Sequence, residues 1–260
     1  MVRVFDFTNA LLRTPGRSVV NGLRDDARQM PRYEVVLTQH AAYADALRAI
    51  GIAVDVLPPL EDFPDSMFVE DPALTFPNGA ILLRPGAPSR LGEREEMRGA
   101  LEKNFPRILS IDAADEFVDG GDILITPETV FIGLSKRTNR KGADALARKL
   151  SELGYTARVA QTPAGILHFK TASSLMAEDT ILATRTLADS GVFAGFDVIV
   201  TPPGEDAAAN ALRMNDTVFV GTHYPRTIDL LARRGFAVRP LAVSEVAKLD
   251  AGLSCMSLRW

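Results

Sequence analysis

The chain is poor in residues that bind metals or form disulfides: its 260 residues include one cysteine, Cys255, and three histidines. A single cysteine excludes an intrachain disulfide and any zinc site built from several cysteines. Free cysteine is among the most buried residue types, and the small, weakly apolar segment 253–258 that contains Cys255 is expected to be a buried strand end. Taken alone, the thiol is explained more simply by core packing than by catalysis.

Long apolar runs and an excess of basic charge are also missing. No apolar stretch is long enough to span a bilayer, and the N-terminal segment lacks the pattern of a signal peptide. The formal net charge of -4 argues against nucleic acid as a partner. Glycine-rich dinucleotide fingerprints, Walker loops and His-Glu-x-x-His motifs are absent, so nucleotide-dependent and zinc-hydrolase classes have no support. We therefore expect a cytoplasmic protein without a nucleic-acid or membrane partner.

What the chain does have is a repeated order of elements. Three helical patterns end at a glycine and lead directly into a strand pattern; the helical segments are 43–50, 143–153 and 228–234, and the strands are 52–57, 155–159 and 236–240. Further apolar strands at 80–84, 130–133, 180–183 and 218–221 recur roughly every 40 to 50 residues, a period typical of repeat architectures. Periodicity alone leaves two α/β arrangements open, a repeat fold and ordinary alternation in an open sheet.

A catalytic explanation of Cys255 requires a group that favours its thiolate, because a thiol is only slightly ionised at neutral pH. His40 lies in a helical pattern and His223 in a turn, so each has a structural explanation. His168 is flanked by apolar residues on an expected strand, where a buried core histidine and a catalytic base are equally good interpretations. Asp119, in the segment 117–124, supplies an acid. Spacing alone does not decide between these interpretations.

An acidic segment at residues 61–71 interleaves its carboxylates with apolar residues such as Phe63 and Met67. A run of acids in a loop is usually a solvated surface, whereas the interleaving fits carboxylates that face inward. Two interpretations of this segment therefore stand, a solvated face and a group of inward-facing carboxylates.

Nine short segments together carry a family resemblance that runs nearly from end to end of the chain. They are residues 13–18, 63–72, 84–90, 119–122, 133–139, 167–170, 209–210, 224–226 and 254–257. Each segment is weak alone, but their order and joint occurrence are highly specific. By these motifs the chain resembles the dimethylarginine dimethylaminohydrolases, members of the pentein superfamily of guanidino-group-modifying enzymes.

The resemblance implies an α/β fold, a five-bladed pseudo-symmetric α/β propeller (the pentein fold) with the active site in its central channel. Residues 1–260 would form a single domain, either a monomer or half of a homodimer. Hydrolysis in this superfamily needs no cofactor and no metal, and its substrate is a small molecule. Zinc bound by Cys255 and His168, both good ligands, is expected to inhibit.

The resemblance also assigns catalytic roles. Cys255 would be the nucleophile, His168 the general acid and base, and Asp119 the group that orients His168 or holds a guanidino nitrogen. The implied reaction converts Nω-methylated arginines to L-citrulline and methylamine or dimethylamine through a covalent S-alkylthiouronium intermediate.

Nine further residues are implied to bind the substrate. Asp71 would bond the guanidino nitrogens, Phe68 would lie beside the methylated end, and Arg90 and Arg137 would hold the α-carboxylate. Backbone groups of Leu23 and Leu249 would contact the α-amino group. The full implied set is Leu23, Asp65, Phe68, Glu70, Asp71, Arg90, Arg137, Leu249 and Ser254.

Two alternatives remain open at this point. One is a different hydrolase of the same superfamily, an arginine deiminase or a citrulline-hydrolysing enzyme, which the wall of the pocket would distinguish. The other is a non-catalytic binding module with the pentein fold. The presence of Cys255, His168 and Asp119 together with the acidic segment argues against the binding module.

Overall fold

The computed structural model describes residues 3–27 and 29–260, and within them fifteen strands form five separate three-stranded sheets. In every sheet the central strand pairs antiparallel with one neighbour and parallel with the other. The parallel neighbour is reached through a helix. Five copies of this strand, strand, helix, strand unit confirm the predicted five-bladed α/β propeller.

The strand bounds follow the chain in blade order. The strands are β1 Asn9–Arg13, β2 Ala53–Leu57, β3 Ala73–Phe76, β4 Gly79–Leu82, β5 Ile108–Ser110, β6 Ile123–Ile125, β7 Val130–Leu134, β8 Ala157–Gln161, β9 Ser173–Leu175, β10 Thr180–Ala183, β11 Asp197–Val200, β12 Leu212–Met214, β13 Thr217–Gly221, β14 Ala237–Leu241 and β15 Leu258–Arg259. The sheet orders are β15-β1-β2, β3-β4-β5, β6-β7-β8, β9-β10-β11 and β12-β13-β14.

In each blade an α-helix connects the central strand to its parallel neighbour, and 3-10 turns lie both within and between the blades. The α-helices are α1 Tyr33–Arg48, α2 Glu95–Asn104, α3 Arg140–Glu152, α4 Arg185–Asp189, α5 Pro225–Arg233 and α6 Ser244–Ala247. The 3-10 turns are Arg17–Asn21, Pro88–Arg94, Gly120–Asp122, Phe169–Thr171, Asp206–Ala209 and Ser254–Met256.

The first blade is completed by the last strand, which closes the ring of sheets. β15 pairs antiparallel with β1, with Ala10 opposite Arg259 and Leu11 opposite Leu258. This pairing holds the 3-10 turn Ser254–Met256 against the start of the chain, and that turn contains Cys255.

The predicted glycine-terminated helices are present in three blades. Gly51, Gly154 and Gly235 have φ values of +87°, +87° and +88° just after α1, α3 and α5. Only glycine adopts this left-handed conformation cheaply, so these residues stop the helix and turn the chain into the parallel strand. The central strands β4, β7, β10 and β13 likewise fall on the predicted apolar segments.

Two local predictions were wrong. Cys255 does not lie on a strand end but in the middle of a 3-10 turn, and pairing begins only at Leu258. His168 has extended backbone angles but precedes the 3-10 turn Phe169–Thr171 and is not part of a strand. In both cases the apolar neighbours correctly indicate burial. Burial alone does not distinguish a residue on a strand from a residue in the turn that precedes a strand.

The hydrophobic core of the described residues is divided into five clusters. In one of them Leu146 and Leu150 of α3 pack with Ile81 and Ile132 of the sheets. β3, β4 and β10 are buried along their whole length, and apart from Thr75 and Thr180 they lack polar residues, as buried strands do. Within the described part of the chain, none of the helices has the length and apolar character needed to cross a bilayer.

Candidate active site

Each of the five blades contributes one polar residue to the same end of the propeller. In every case the residue lies in the turn just before the first strand of a sheet, namely before β3, β6, β9, β12 and β15. These residues are Asp71, Asp119, His168, Asn210 and Cys255. The repeated fold therefore brings together groups that are far apart in the sequence.

His168 and Asp119 form a buried hydrogen-bonded pair. Nε2 of His168 lies 3.1 Å from Oδ2 of Asp119, and both side chains are almost completely buried. The other oxygen of Asp119 accepts a hydrogen bond of 2.6 Å from the backbone N–H of Gly86. Asp119 is thus fixed, and it leaves Nδ1 of His168 as the nitrogen that can exchange a proton with a substrate.

The surroundings of His168 favour its protonated form. Burial lowers the pKa of His168, but the hydrogen bond to Asp119 and the charges of Asp122 and Asp71 outweigh burial and raise this pKa to about 9. An imidazolium at neutral pH is suited to act as a general acid. Gly121 makes room for the ring, because a Cβ there would lie 2.6 Å from Nδ1 of His168.

Cys255 is buried, and its environment opposes ionisation. Burial and the negative charges of Glu70 and Asp71 raise the pKa of the thiol to about 11. A thiolate therefore forms readily only when a further cation, besides Arg90, Arg137 and His168, enters the cavity. The sulfur accepts a hydrogen bond of 3.7 Å from Nδ2 of Asn210, a residue that sequence reasoning included in a motif without giving it a role.

Asp71 is a buried carboxylate of the kind that accepts hydrogen bonds from a guanidinium. Its Oδ1 accepts a hydrogen bond of 2.9 Å from the backbone of Gly121, and its Oδ2 contacts the guanidinium of Arg90. Burial raises the pKa of Asp71, but the charges of Arg90 and His168 outweigh it and lower this pKa to about 2. Asp71 is therefore ionised at the working pH of most enzymes.

Arg90 is held entirely by protein groups. Besides Asp71 it donates to the carbonyl of Phe68 at 3.0 Å and to both oxygens of Glu93, the shortest contact being 2.7 Å. Sequence reasoning missed Glu93, whose spacing of three residues from Arg90 is the signal that could have found it. Burial raises the pKa of Glu93 to about 7 against the opposing effect of Arg90.

Nine of the twelve residues singled out from the sequence line one small cavity of about 30 Å³. They are Leu23, Asp65, Phe68, Asp71, Arg90, Arg137, His168, Leu249 and Cys255. Leu167, Asp250 and Ala251 complete the lining and were not singled out individually. A neighbouring cavity of about 250 Å³ shares Leu167, Asp250 and Ala251 with the first, so these three residues lie between the two cavities.

The other three residues lie behind the cavity wall. Asp119 lies behind His168 and is hydrogen-bonded to its Nε2. Glu70 and Ser254 bond each other at 3.0 Å, and Glu70 also pairs with Lys170 at 2.5 Å and with Arg259 at 2.8 Å. The structure therefore places Glu70 and Ser254 one residue away from cavity-lining groups, but facing the opposite side.

Asp71, Asp119 and His168 are the three residues in the described part of the chain whose ligand atoms lie close enough to hold a metal ion, within 4.8 Å of one another. Both carboxylates already face cationic partners. Asp71 pairs with Arg90, and Oδ2 of Asp119 lies 3.6 Å from the guanidinium of Arg137. The negative charge of this group is thus balanced by protein cations.

A propeller of five β-β-α-β blades with a buried cysteine, a charged histidine and an ionised aspartate at its centre defines a pentein-type hydrolase that acts on guanidino groups. Comparisons identify the branch. A sequence model of the family described as N,N dimethylarginine dimethylhydrolase, eukaryotic, matches residues 23–186. The chain belongs to this dimethylarginine dimethylaminohydrolase family.

Individual relatives agree along the whole chain. A dimethylarginine dimethylaminohydrolase of Pseudomonas aeruginosa is 37% identical over 98% of this chain and 100% of its own length. One of Streptomyces coelicolor is 32% identical over 96% of each. A solved structure of the Pseudomonas enzyme, a cysteine-to-serine variant in complex with citrulline, superposes with a TM-score of 0.95 at 37% identity and covers 98% of this chain and 100% of that one.

Proposed function

We propose that the protein hydrolyses Nω-methylated arginines, asymmetric dimethylarginine and monomethylarginine, to L-citrulline and dimethylamine or methylamine. The observation that carries this proposal is that one cavity is lined by the sole thiol, by a histidine with a raised pKa and by a buried ionised aspartate. Family membership and the citrulline bound to the Pseudomonas relative support the same reaction.

The substrate would lie with its guanidinium towards Asp71 and its methylated nitrogen against apolar surface. Phe68 and Leu249 supply that surface in the cavity, which favours methylated over unmethylated arginine. Arg137 is the arginine best placed to hold the α-carboxylate, because its side chain keeps 18% of its surface exposed. Arg90 could take part only by exchanging some of its present contacts, because all of them are to protein groups.

Binding of the cationic substrate activates the nucleophile. Its positive charge beside Cys255 offsets the charges of Glu70 and Asp71 and lowers the pKa of the thiol, whose proton is lost to solvent. The thiolate attacks the guanidino carbon and forms a tetrahedral adduct. His168 donates its proton to the methylated nitrogen, and the C–N bond breaks to release the amine and leave an S-alkylthiouronium on Cys255.

Hydrolysis of the intermediate restores the enzyme. His168, now neutral, accepts a proton from water as the water oxygen bonds to the thiouronium carbon. The C–S bond then breaks, the electron pair returns to sulfur, and the oxygen loses its remaining proton to solvent to give the ureido group of citrulline. Once citrulline leaves, the thiolate of Cys255 takes up a proton from solvent, so each turnover consumes one water and returns Cys255 to the thiol and His168 to the imidazolium.

The test is citrulline release from asymmetric dimethylarginine, monomethylarginine and arginine in parallel, with a chelator present. Wild type should turn over the methylated substrates, whereas Cys255→Ser and His168→Asn should be inactive. His223→Asn, in a turn after β13, is the matched control and should keep full activity. Turnover of arginine alone would indicate a deiminase, and no citrulline from any of the three would contradict the proposal.

A further inference from the structure

A third and larger cavity, here called the rear cavity, lies back to back with the catalytic one. Its volume is about 340 Å³, within the range of roughly 300 to 1,000 Å³ typical of small-molecule sites. Glu70 and Ser254 line the rear cavity, whereas the next residue in each case, Asp71 or Cys255, lines the catalytic cavity. Two pairs of consecutive residues therefore form the wall between the two cavities.

The rear cavity combines apolar walls with an excess of positive charge. Its apolar lining includes Phe5, Leu74, Phe76, Leu124, Leu212 and Trp260. Its charged lining consists of Arg3, Lys170, Arg213 and Arg259 against Asp6 and Glu70. Arg3 pairs with both Asp6 and Asp216, so the positive excess comes from Lys170, Arg213 and Arg259 against Glu70. Such a surface is complementary to a molecule with an apolar body and one or two negative charges.

The positive excess is concentrated beside the shared wall. Lys170 and Arg259 both pair with the single carboxylate of Glu70, and each keeps part of its side chain exposed, 12% and 14% respectively. One negative charge thus faces two positive ones at this point. An anionic group in the rear cavity would find a cation there without having to separate a one-to-one ion pair.

We propose that the rear cavity binds a monocarboxylate with an apolar chain, such as a medium-chain fatty acid, and that its occupancy slows the catalytic cysteine through Glu70. The binding half of this proposal is independent of the proposed function, whereas the regulatory half rests on it.

Glu70 is the physical link between the two cavities. Burial raises the pKa of Cys255 first, the negative charge of Glu70 raises it further, and Lys170 lowers it. A bound carboxylate would draw Lys170 or Arg259 towards itself and add negative charge behind the wall, so the thiolate would be disfavoured. The other charged groups that share the cavity of the thiol are Asp65, Asp71, Arg90, Arg137, His168 and Asp250.

Binding can be measured with the protein's own reporter, because Trp260 is the single tryptophan and lines the rear cavity. Decanoate, below its micelle concentration, should change the Trp260 fluorescence saturably and bind roughly tenfold tighter than decan-1-ol, since it adds a charge-assisted contact. Decylammonium should give no saturable change. Equal affinity for all three probes would mean that only apolar surface is recognised and would overturn the proposal, as would no binding of decanoate.

Variants locate the site. Lys170→Gln should abolish the preference for decanoate over decan-1-ol, and Arg259→Gln, at the other cation beside Glu70, serves as a second variant if the first fails to fold. Arg185→Gln, on an exposed pair of α4, is the matched control and should bind like wild type. A preference for decanoate that survives both cavity variants would place its binding elsewhere and contradict the assignment.

The regulatory half is tested by alkylation of Cys255 with iodoacetamide across neutral to alkaline pH. Saturating decanoate should move the midpoint of alkylation to higher pH and lower the rate of citrulline release in parallel. Binding of decanoate without either change would contradict the proposed effect on Cys255, although the proposed binding site would still hold. Saturable Trp260 quenching in a protein that fails to release citrulline would instead refute the proposed function and not the rear cavity.

Discussion

Asn210 holds Cys255 from two sides. Its Nδ2 donates to the sulfur across 3.7 Å, and its Oδ1 accepts a hydrogen bond of 3.2 Å from the backbone of the preceding residue, Ser254. Gly252 is required for this contact, because a Cβ there would come within 2.4 Å of the Asn210 side chain. The amide therefore both positions the nucleophile and donates to the charge that forms on it.

Asn210→Asp tests the donor role with little change in shape. A carboxylate in place of the amide would raise the pKa of the thiol and lower kcat about tenfold, with a smaller effect on KM. The pH dependence of alkylation and steady-state kinetics check this. Asn104→Ala, at the exposed end of α2, is the control. An alkylation profile identical to that of wild type would show that Asn210 does not influence the thiolate.

The pKa of His168 predicts how activity depends on pH. Because that pKa is about 9 in the folded protein, loss of the imidazolium should reduce activity as pH rises through 9. Asp119→Asn removes the strongest group that raises this pKa and should move the alkaline limb to lower pH. Rate profiles of both proteins test the shift. An unmoved alkaline limb in the variant would assign it to another group.

The same raised pKa makes a prediction about stability. A histidine with a folded pKa of about 9 and an ordinary value of 6.5 stabilises the fold fully below pH 6.5, and this contribution disappears as pH rises through 9. Urea unfolding of wild type should therefore show a decrease over that window that is smaller in His168→Gln. The difference between the pH dependences of the two proteins gives the contribution of His168 alone, because the other titrating groups are present in both. Parallel curves would mean that protonation of His168 is not linked to folding.

Gly121→Ala tests the close approach beside the imidazole. The new Cβ would lie 2.6 Å from Nδ1 of His168 and 3.0 Å from Oδ1 of Asp71, so the ring must move. A displacement of this size should lower kcat about a hundredfold. Gly99→Ala in α2, with nothing within 4 Å, is the control and should leave activity unchanged and stabilise the helix by up to about 1 kcal/mol. Full activity of Gly121→Ala would contradict the geometry.

The buried ion pairs of Arg90 should matter far more for stability than exposed pairs do. Arg90→Met leaves Asp71 and Glu93 buried without their cation and should lower the free energy of unfolding by about 3 to 5 kcal/mol. Arg140→Met, which breaks the exposed pair with Asp144, should change it by about 0 to 1 kcal/mol. Urea denaturation measures both. Similar decreases in the free energy of unfolding of the two variants would contradict the larger contribution expected of the buried ion pairs.

The sequence predicted the repeat because two of its features are local patterns: a glycine at the end of a helix, and an apolar segment at each central strand. Gly51, Gly154 and Gly235 and the central strands lie where expected. The family motifs named the residues of the cavity, but they could not tell which side of the wall Glu70 and Ser254 face. The side chains of neighbouring residues in a turn point in different directions, and these directions depend on the backbone angles of the turn. Those angles are set by the folded structure and leave no signal in the sequence motif.

Position and chemistry are separable in this propeller. In the proposed reaction its five equivalent turns carry five different groups: a carboxylate that accepts from a cation, an acid that positions the histidine, a proton donor, an amide and a nucleophile. A backbone with near fivefold repetition thus supports a site with no symmetry at all. One consequence is that the side chain in a single turn can be exchanged, and the reaction redirected, while the other four turns and the sheets behind them keep the substrate in place.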